Sequence, residues 1–203
     1  MAVLHRVAVS SAGIVLAAGA SRRMGRPKQL LAVAGRPLLE GVVASACASR
    51  LDEVVVMLGA NATAVLAAVN LGRARAVINP EHAAGLSSSL RAGLAALGDE
   101  VSLAMVILGD QPAISGALLD ELLDLRERTG LPAAALSFGG LLHPPVALPR
   151  ELWGDLRSLE GDVGCRAVIR ARPELVAALP YAGDLRHPVD VDTPEDYERL
   201  IGG

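Results

Sequence analysis

Four cations, Arg22, Arg23, Arg26 and Lys28, fall within seven residues of a chain whose 19 basic and 22 acidic side chains leave a net charge of −3. They follow the apolar run Ile14–Ala18 and are interleaved with Gly19, Ser21 and Gly25. Such an order describes a buried strand that opens into an anion-binding loop. Glycine lets the backbone turn close to a ligand with no Cβ in the way, and free amides in that turn point at phosphate oxygens. Lys28 stands apart again, as the one lysine among 19 basic residues. A compact ammonium on a flexible stem follows a moving phosphate in a way that a planar guanidinium does not.

The second set of chemical groups is acidic. Asp110 lies in Gly109-Asp110-Gln111-Pro112, directly after the strand-like run Val101–Leu108. A carboxylate released at the end of a buried parallel strand sits in the crevice where open α/β sheets bind ligands, which makes Asp110 the leading metal ligand. The same residue type also serves as a plain turn former. Asp190 and Asp192 could each lean into that site from the end of the chain, although Asp192-Thr193-Pro194-Glu195 is equally a helix N-terminal cap. Ser87, Ser88 and Ser89 precede the helical stretch Leu90–Leu97. They are suited to cap it, and a helix N-terminus also receives anions and polar ligands.

A phosphate loop with a lysine, facing carboxylates at strand ends, suits phosphoryl or nucleotidyl transfer. In that chemistry a divalent metal bridges phosphate oxygens, cations neutralise the leaving group, and no protein nucleophile is needed. Two commoner loops do not match. Walker A needs Lys after its second glycine, where this chain has Arg26, and the dinucleotide fingerprint Gly-x-Gly-x-x-Gly is not present in the loop. His5, His82, His143 and His187 form no pair at ligand spacing, and Cys47 and Cys165 belong to no C-x-x-C unit, so they read as small buried hydrophobes.

The elements that must hold these groups alternate. Strands are expected over Ile14–Ala18, Asp52–Leu58, Ala74–Ile78 and Val101–Leu108, with helices over Pro37–Ala48, Ala62–Val69, Leu90–Leu97 and Ser115–Arg128. Alternation of this kind builds a parallel sheet. The pattern then breaks into a hairpin-like pair, Ala133–Phe138 and Leu141–Leu148, whose His143-Pro144-Pro145 places the second strand at an edge or a bulge. Helices over Glu151–Leu159 and Arg166–Ala171 flank the tight loop Gly161–Gly164. A last buried strand over Leu175–Leu179, an extended piece over Leu185–Val191 and a helix opening at Asp192 complete the chain.

These motifs resemble the molybdopterin nucleotidyltransferase-like proteins of the nucleotide-diphosphosugar transferase fold. The resemblance is carried by Leu16-Ala-Ala-Gly-x-Ser-x-Arg-Met-Gly-x-x-Lys28, Gly85 to Leu94, Gly109-Asp-Gln-Pro112, His143-Pro144, Gly161-Asp162-x-Gly164-x-Arg166 and Asp190-Val-Asp-Thr-Pro-Glu-Asp196. Gly-Asp-Gln-Pro, His-Pro and Leu-Ala-Ala-Gly are similar to the molybdenum cofactor cytidylyltransferase branch. The resemblance implies a Rossmann-like three-layer α/β/α fold with a mostly parallel, mixed central sheet. It also implies transfer of CMP from CTP to the terminal phosphate of a molybdopterin-type cofactor, with Mg²⁺ or Mn²⁺ as the metal.

Residue by residue, it places base and ribose at Leu16, Ala17, Ala18, Gly19 and the loop containing Gly85, Ser88 and Ser89. It places the triphosphate at Arg22 and Lys28, with Ser21 also among the nucleotide-binding residues, the metal at Asp110 and Asp192 with Asp190 as competitor, and the acceptor beside His143 and Asp162. One departure is Leu142, where the family has glycine before His-Pro; a side chain there would reshape the acceptor pocket. The same fold acting on another phosphorylated acceptor, using GTP, or binding a cofactor without chemistry are the alternatives. A molybdoenzyme or its maturation chaperone is the expected partner.

Composition sets the outer bounds. With 203 residues, 52% of them apolar, the chain is expected to form one domain, 1–203, around an aliphatic core. Four aromatics and an acidic balance argue against a nucleic-acid surface. No apolar run approaches the roughly 18 residues of a membrane span and no secretory pattern opens the chain, so a soluble cytoplasmic protein is expected.

Overall fold

The computed structural model describes residues 10–181 and 190–202. His5, His187 and most of the extended piece expected over 185–191 lie outside the described residues. A seven-stranded sheet runs through the molecule. Its strands are β1 (Ser10–Leu16), β4 (Glu53–Leu58), β5 (Arg75–Ile78), β6 (Val101–Leu108), β7 (Ala133–Phe138), β8 (Leu141–Pro149) and β9 (Val176–Pro180), in the order β5-β4-β1-β6-β8-β7-β9. A small hairpin, β2 (Ala32–Val33) with β3 (Arg36–Pro37), stands outside it.

Most neighbours are parallel, with β8 antiparallel to both β6 and β7. The expected mostly parallel, mixed sheet is what the chain forms. The prolines of β8 fall at a bulge, one of the two places expected for them, and β8 itself is interior to the sheet. Its pairing with β6 stops at Val146, and its pairing with β7 jumps from Val146 to His143, so Pro144 and Pro145 fall in an irregularity where no ladder amide is required.

Two helical layers cover the sheet. On one face pack α1 (Leu38–Ala48), α2 (Ala62–Ala68) and α4 (Gly116–Thr129); on the other pack α3 (Leu86–Ala95), α5 (Trp153–Arg157) and α6 (Arg166–Ala171). Strand side chains alternate between the two. In β6, Leu103, Met105 and Ile107 join the α1 side, and Ala104 and Val106 the α3 side. Pro37, expected in the first turn of α1, instead stands just before it at the end of β3, and Gly130, at φ 68°, ends α4 in the left-handed conformation that favours glycine.

The last helix, α7 (Pro194–Ile201), is capped by Thr193 rather than Asp192. Thr193 accepts from the Asp196 amide, and Asp196 accepts from the Thr193 amide at 2.8 Å, a reciprocal capping box. Asp192 is thereby left for other work. Among the described residues no helix is long and apolar enough to cross a membrane.

Candidate active site

The strand order puts β4 on one side of β1 and β6 on the other, so the connection after β1 runs toward β4, the one after β6 runs the other way toward β7, and a crevice opens at the carboxyl ends of β1 and β6. Leu16 and Leu108 are in register there, and the Gly109 amide donates to the Leu16 carbonyl at 2.9 Å. A Cβ on Gly109 would lie 3.0 Å from both that carbonyl oxygen and the Ala17 Cβ. Glycine allows this close crossing, and Asp110 follows it directly into the crevice.

The cationic loop is held by its own side chains. Ser21 adopts φ 54°, rare for a residue with a side chain, and its hydroxyl accepts from the Lys28 amide at 3.0 Å and donates to Gln29 Oε1 at 3.4 Å. Gln29, buried, donates from Nε2 to the carbonyls of Ala17 and Gly19, each at 2.9 Å. Met24 and Leu31 anchor the loop in the α1-side core. Lys28 is thus aimed across the crevice, where its Nζ donates to Asp110 Oδ2 and, at 2.9 Å, to Asp192 Oδ1. Arg23 donates to Asp192 Oδ2 at 2.7 Å.

Burial and pairing set the charges. Burial alone would lower the Lys28 pKa, but Asp110 and Asp192 outweigh it and hold the ammonium above its ordinary value. Burial raises Asp110 to about 6 against the pull of Lys28, with Asp190 and Asp192 adding to the rise. Asp192 is more open. Burial pushes it up, yet Lys28 and Arg23 bring it below the usual carboxylate value.

The donor set fits a divalent metal. Asp110 Oδ1 is buried with no hydrogen-bond partner, a state that costs about 1–3 kcal/mol for a neutral group and more for a charged one. A cation satisfies such an oxygen. Among the described residues no three His, Cys, Asp or Glu side chains gather as a complete metal cage.

On the α3 side of the same strand ends lies a cavity of about 310 Å³, walled by Leu16, Leu108, Pro144, Asp162, Arg166 and Arg170 together with neighbouring residues. Asp162 lines it and also binds the start of α3, its Oδ1 accepting from the Leu86 amide at 3.3 Å. Gly161 accepts from the Ser87 amide at 3.1 Å. Gly85, at φ 101°, comes so near that a Cβ on it would stand 2.4 Å from the Gly161 carbonyl.

Several expectations are corrected here. The helix begins at Leu86, so the serines lie inside its first turn instead of capping it. Ser88 and Ser89 are buried, and both hydroxyls accept from Asn79 Nδ2, at 2.9 and 3.1 Å, which makes them loop anchors in this structure. Leu142 packs into the α3-side core and not on the cavity wall. His143 meets Phe138 edge-on at 6.4 Å, while burial and the nearby Arg166 and Arg170 lower its pKa; Pro144 supplies the wall.

The structure brings Lys28, Asp110 and Asp192 together and leaves Arg22 exposed on the turn Arg22–Met24. Sequence reasoning gave no role to Gln29 or Arg170 and left Arg23 and Arg166 as members of motifs. Their placement follows from contacts distant in the chain, which local spacing does not carry.

Known proteins of similar sequence and shape share this arrangement of chain. Nicotine blue oxidoreductase of Paenarthrobacter nicotinovorans is 37% identical, covering 93% of this chain and 95% of its own. The manganese complex of Rv0371C from Mycobacterium tuberculosis superposes with a TM-score of 0.82 at 30% identity, over 96% of this chain and all of that one. A nucleotidyl transferase from Methanothermobacter thermautotroptrophicus gives 0.80 at 25% identity, over 95% and 96% of the two chains. Residues 13–177 match the MobA-like NTP transferase domain, and the chain belongs to that family.

Proposed function

We propose that the chain transfers CMP from CTP to the terminal phosphate of a molybdenum–molybdopterin cofactor. An acceptor phosphate oxygen attacks the α-phosphorus, a new P–O bond forms, the α–β phosphoanhydride bond breaks, and pyrophosphate leaves with the electron pair. Lys28 and Arg22 hold the triphosphate, Ser21 fixes the loop that carries them, and Leu16 to Gly19 with Gly85 border base and ribose. Mg²⁺ or Mn²⁺ held by Asp110 and Asp192 supplies neutralisation of phosphate charge when bound. Asp162 and the arginines of the cavity face the acceptor.

The observation that carries this reading is the meeting of Lys28 with Asp110 and Asp192 at the shared end of β1 and β6, with one Asp110 oxygen buried and unpartnered. Pyrophosphate release tests it, with Mg²⁺, molybdenum cofactor and either CTP or GTP. Release with CTP and cofactor is expected; release with GTP alone would change the nucleotide, and release only with other phosphorylated acceptors would change the acceptor.

A second reading takes its support from the relative named nicotine blue oxidoreductase, 37% identical. Bleaching of nicotine blue by a nicotinamide reductant, without pyrophosphate release under any nucleotide, would put it first.

A further inference from the structure

The three residues 190–192 close the crevice from the end of the chain, and they are fixed to it by the backbone. The Val191 amide donates to the Asp110 carbonyl at 3.1 Å, and the Val191 side chain is buried in the α1-side core. The two carboxylates on either side of it go to different partners. Asp192 meets Lys28 and Arg23. Asp190 accepts from Gln111 Nε2 at 2.9 Å through Oδ1, and its Oδ2 stands 3.6 Å from the Arg166 guanidinium on the cavity wall.

We propose that Asp190 is a positioning residue for the acceptor, acting through Arg166, and is not a ligand of the metal. Asp190 pairs with Gln111 and with Arg166 of the cavity wall, whereas Asp192 shares the Lys28 ammonium with Asp110. Gln111, buried and next in sequence to Asp110, holds the carboxylate at a set distance from the metal-side carboxylates. Arg166 is 39% exposed along its side chain, and a long side chain in that state samples many rotamers unless a partner restrains it. With Asp190 behind it, the guanidinium keeps its fork toward the cavity, where Arg170 is a second cation and Asp162 the acidic neighbour. A phosphate monoester is the ligand chemistry this pair of cations fits. Restraint from behind cuts the entropy lost on binding and sets the angle at which the acceptor phosphate meets the α-phosphorus.

This inference rests on the reading of the site as a nucleotidyltransferase whose acceptor is a phosphate. Its test uses Asp190→Asn, Asp192→Asn, Arg166→Ala and the Asp190→Asn/Arg166→Ala pair, each first checked for an unchanged circular-dichroism spectrum and a cooperative melt. Mn²⁺ titration is read by electron paramagnetic resonance. D190N should bind Mn²⁺ within about twofold of the parent, while D192N weakens it about tenfold or more. With CTP and molybdenum cofactor, D190N and R166A should each raise the KM for the cofactor about tenfold and leave the KM for CTP within about twofold. The double variant should be no worse than R166A alone, as expected of residues acting as a unit.

Loss of Mn²⁺ binding in D190N, an unchanged cofactor KM, or additive effects in the double variant would each overturn the proposal. Lack of turnover with molybdenum cofactor in the parent chain sinks the functional reading instead. The same four variants titrated calorimetrically with inorganic phosphate, in the presence of CTP, then decide the positioning role: equal weakening in D190N, R166A and the pair supports it, and undiminished phosphate binding in D190N ends it.

Discussion

Lys28 and Asp110, 82 positions apart in the chain, form an ion pair whose side chains are only 18% and 14% exposed. The pair ties the loop after β1 to the end of β6, so the loop's one lysine and the carboxylate after β6 are placed by the same contact. Lys28→Met keeps the length of the side chain and removes its charge. Pyrophosphate release should fall about 10²–10³-fold, the usual loss when one preorganised charge is taken from a transition state. Lys28→Arg should recover little of it, because a planar fork does not fit between two carboxylates already set for a point charge.

Asp110 gives the protein a pH dependence whose sign can be worked out. Burial raises its pKa from the ordinary 3.8 to about 6, so between those values the folded chain holds a proton that the unfolded chain has released. Its contribution to stability is therefore fully present below 3.8 and is lost as pH rises through about 6. A metal needs the ionised form, and Mn²⁺ affinity should climb through the same window and level off above it. Titrations at pH 5, 6 and 7, scaled here at roughly unit steps around the carboxyl range, read both trends. Chelation by EDTA should abolish turnover and lower the melting temperature at neutral pH, because a metal bound only by the folded chain stabilises it.

Gly85→Ala asks for a side chain where φ is 101° and the Gly161 carbonyl would be 2.4 Å from the new Cβ. Strain of this kind costs about 1–3 kcal/mol for the backbone conformation, before any clash is added. A lower melting temperature is expected, together with a weaker KM for the acceptor, since the displaced Gly161–Gly164 loop carries Asp162. Gly19→Ala, where no atom lies within 4 Å of a new Cβ, should leave the melt nearly unchanged.

Cys165 and Cys47 are both free thiols, but burial pushes the first up to about 12. At pH 8, scaled to an ordinary thiol pKa of about 8.5, iodoacetamide should modify the half-buried Cys47 and spare Cys165, as mass spectrometry of the tryptic peptides would report. Cys165 should become reactive only with global unfolding. Prompt alkylation of Cys165 in the folded chain would mean that the cavity wall it lines opens readily.

The parts of the fold and site legible in the sequence are those dictated over short distances. Val101–Leu108 was expected as a strand and is β6 to the residue, because an eight-residue apolar run between an acidic turn and Gly109 has few other states. Arg166–Ala171 likewise matches α6. Lys28 could be singled out by composition, and Asp110 by its place after a buried strand. The serines of the first turn of α3 misled, since a helix N-terminus with hydroxyls looks the same whether they cap it or turn inward to Asn79. The start of that helix is also tied to Asp162, 76 residues from Leu86, a contact that local sequence does not carry. The interior place of β8 was hidden by its prolines for a related reason, the bulge that accommodates them being a property of three strands together.

That bulged strand has a consequence for how such a protein diversifies. Because β8 runs against β6, the Gly139–Gly140 tip between β7 and β8 projects past the carboxyl end of β6, while β1 and its loop lie one strand farther along the sheet. The tip can be lengthened, shortened or resurfaced without touching Lys28, Asp110 or Asp192. A library confined to 138–143 should therefore vary the rim of the sheet while that charged cluster is inherited intact.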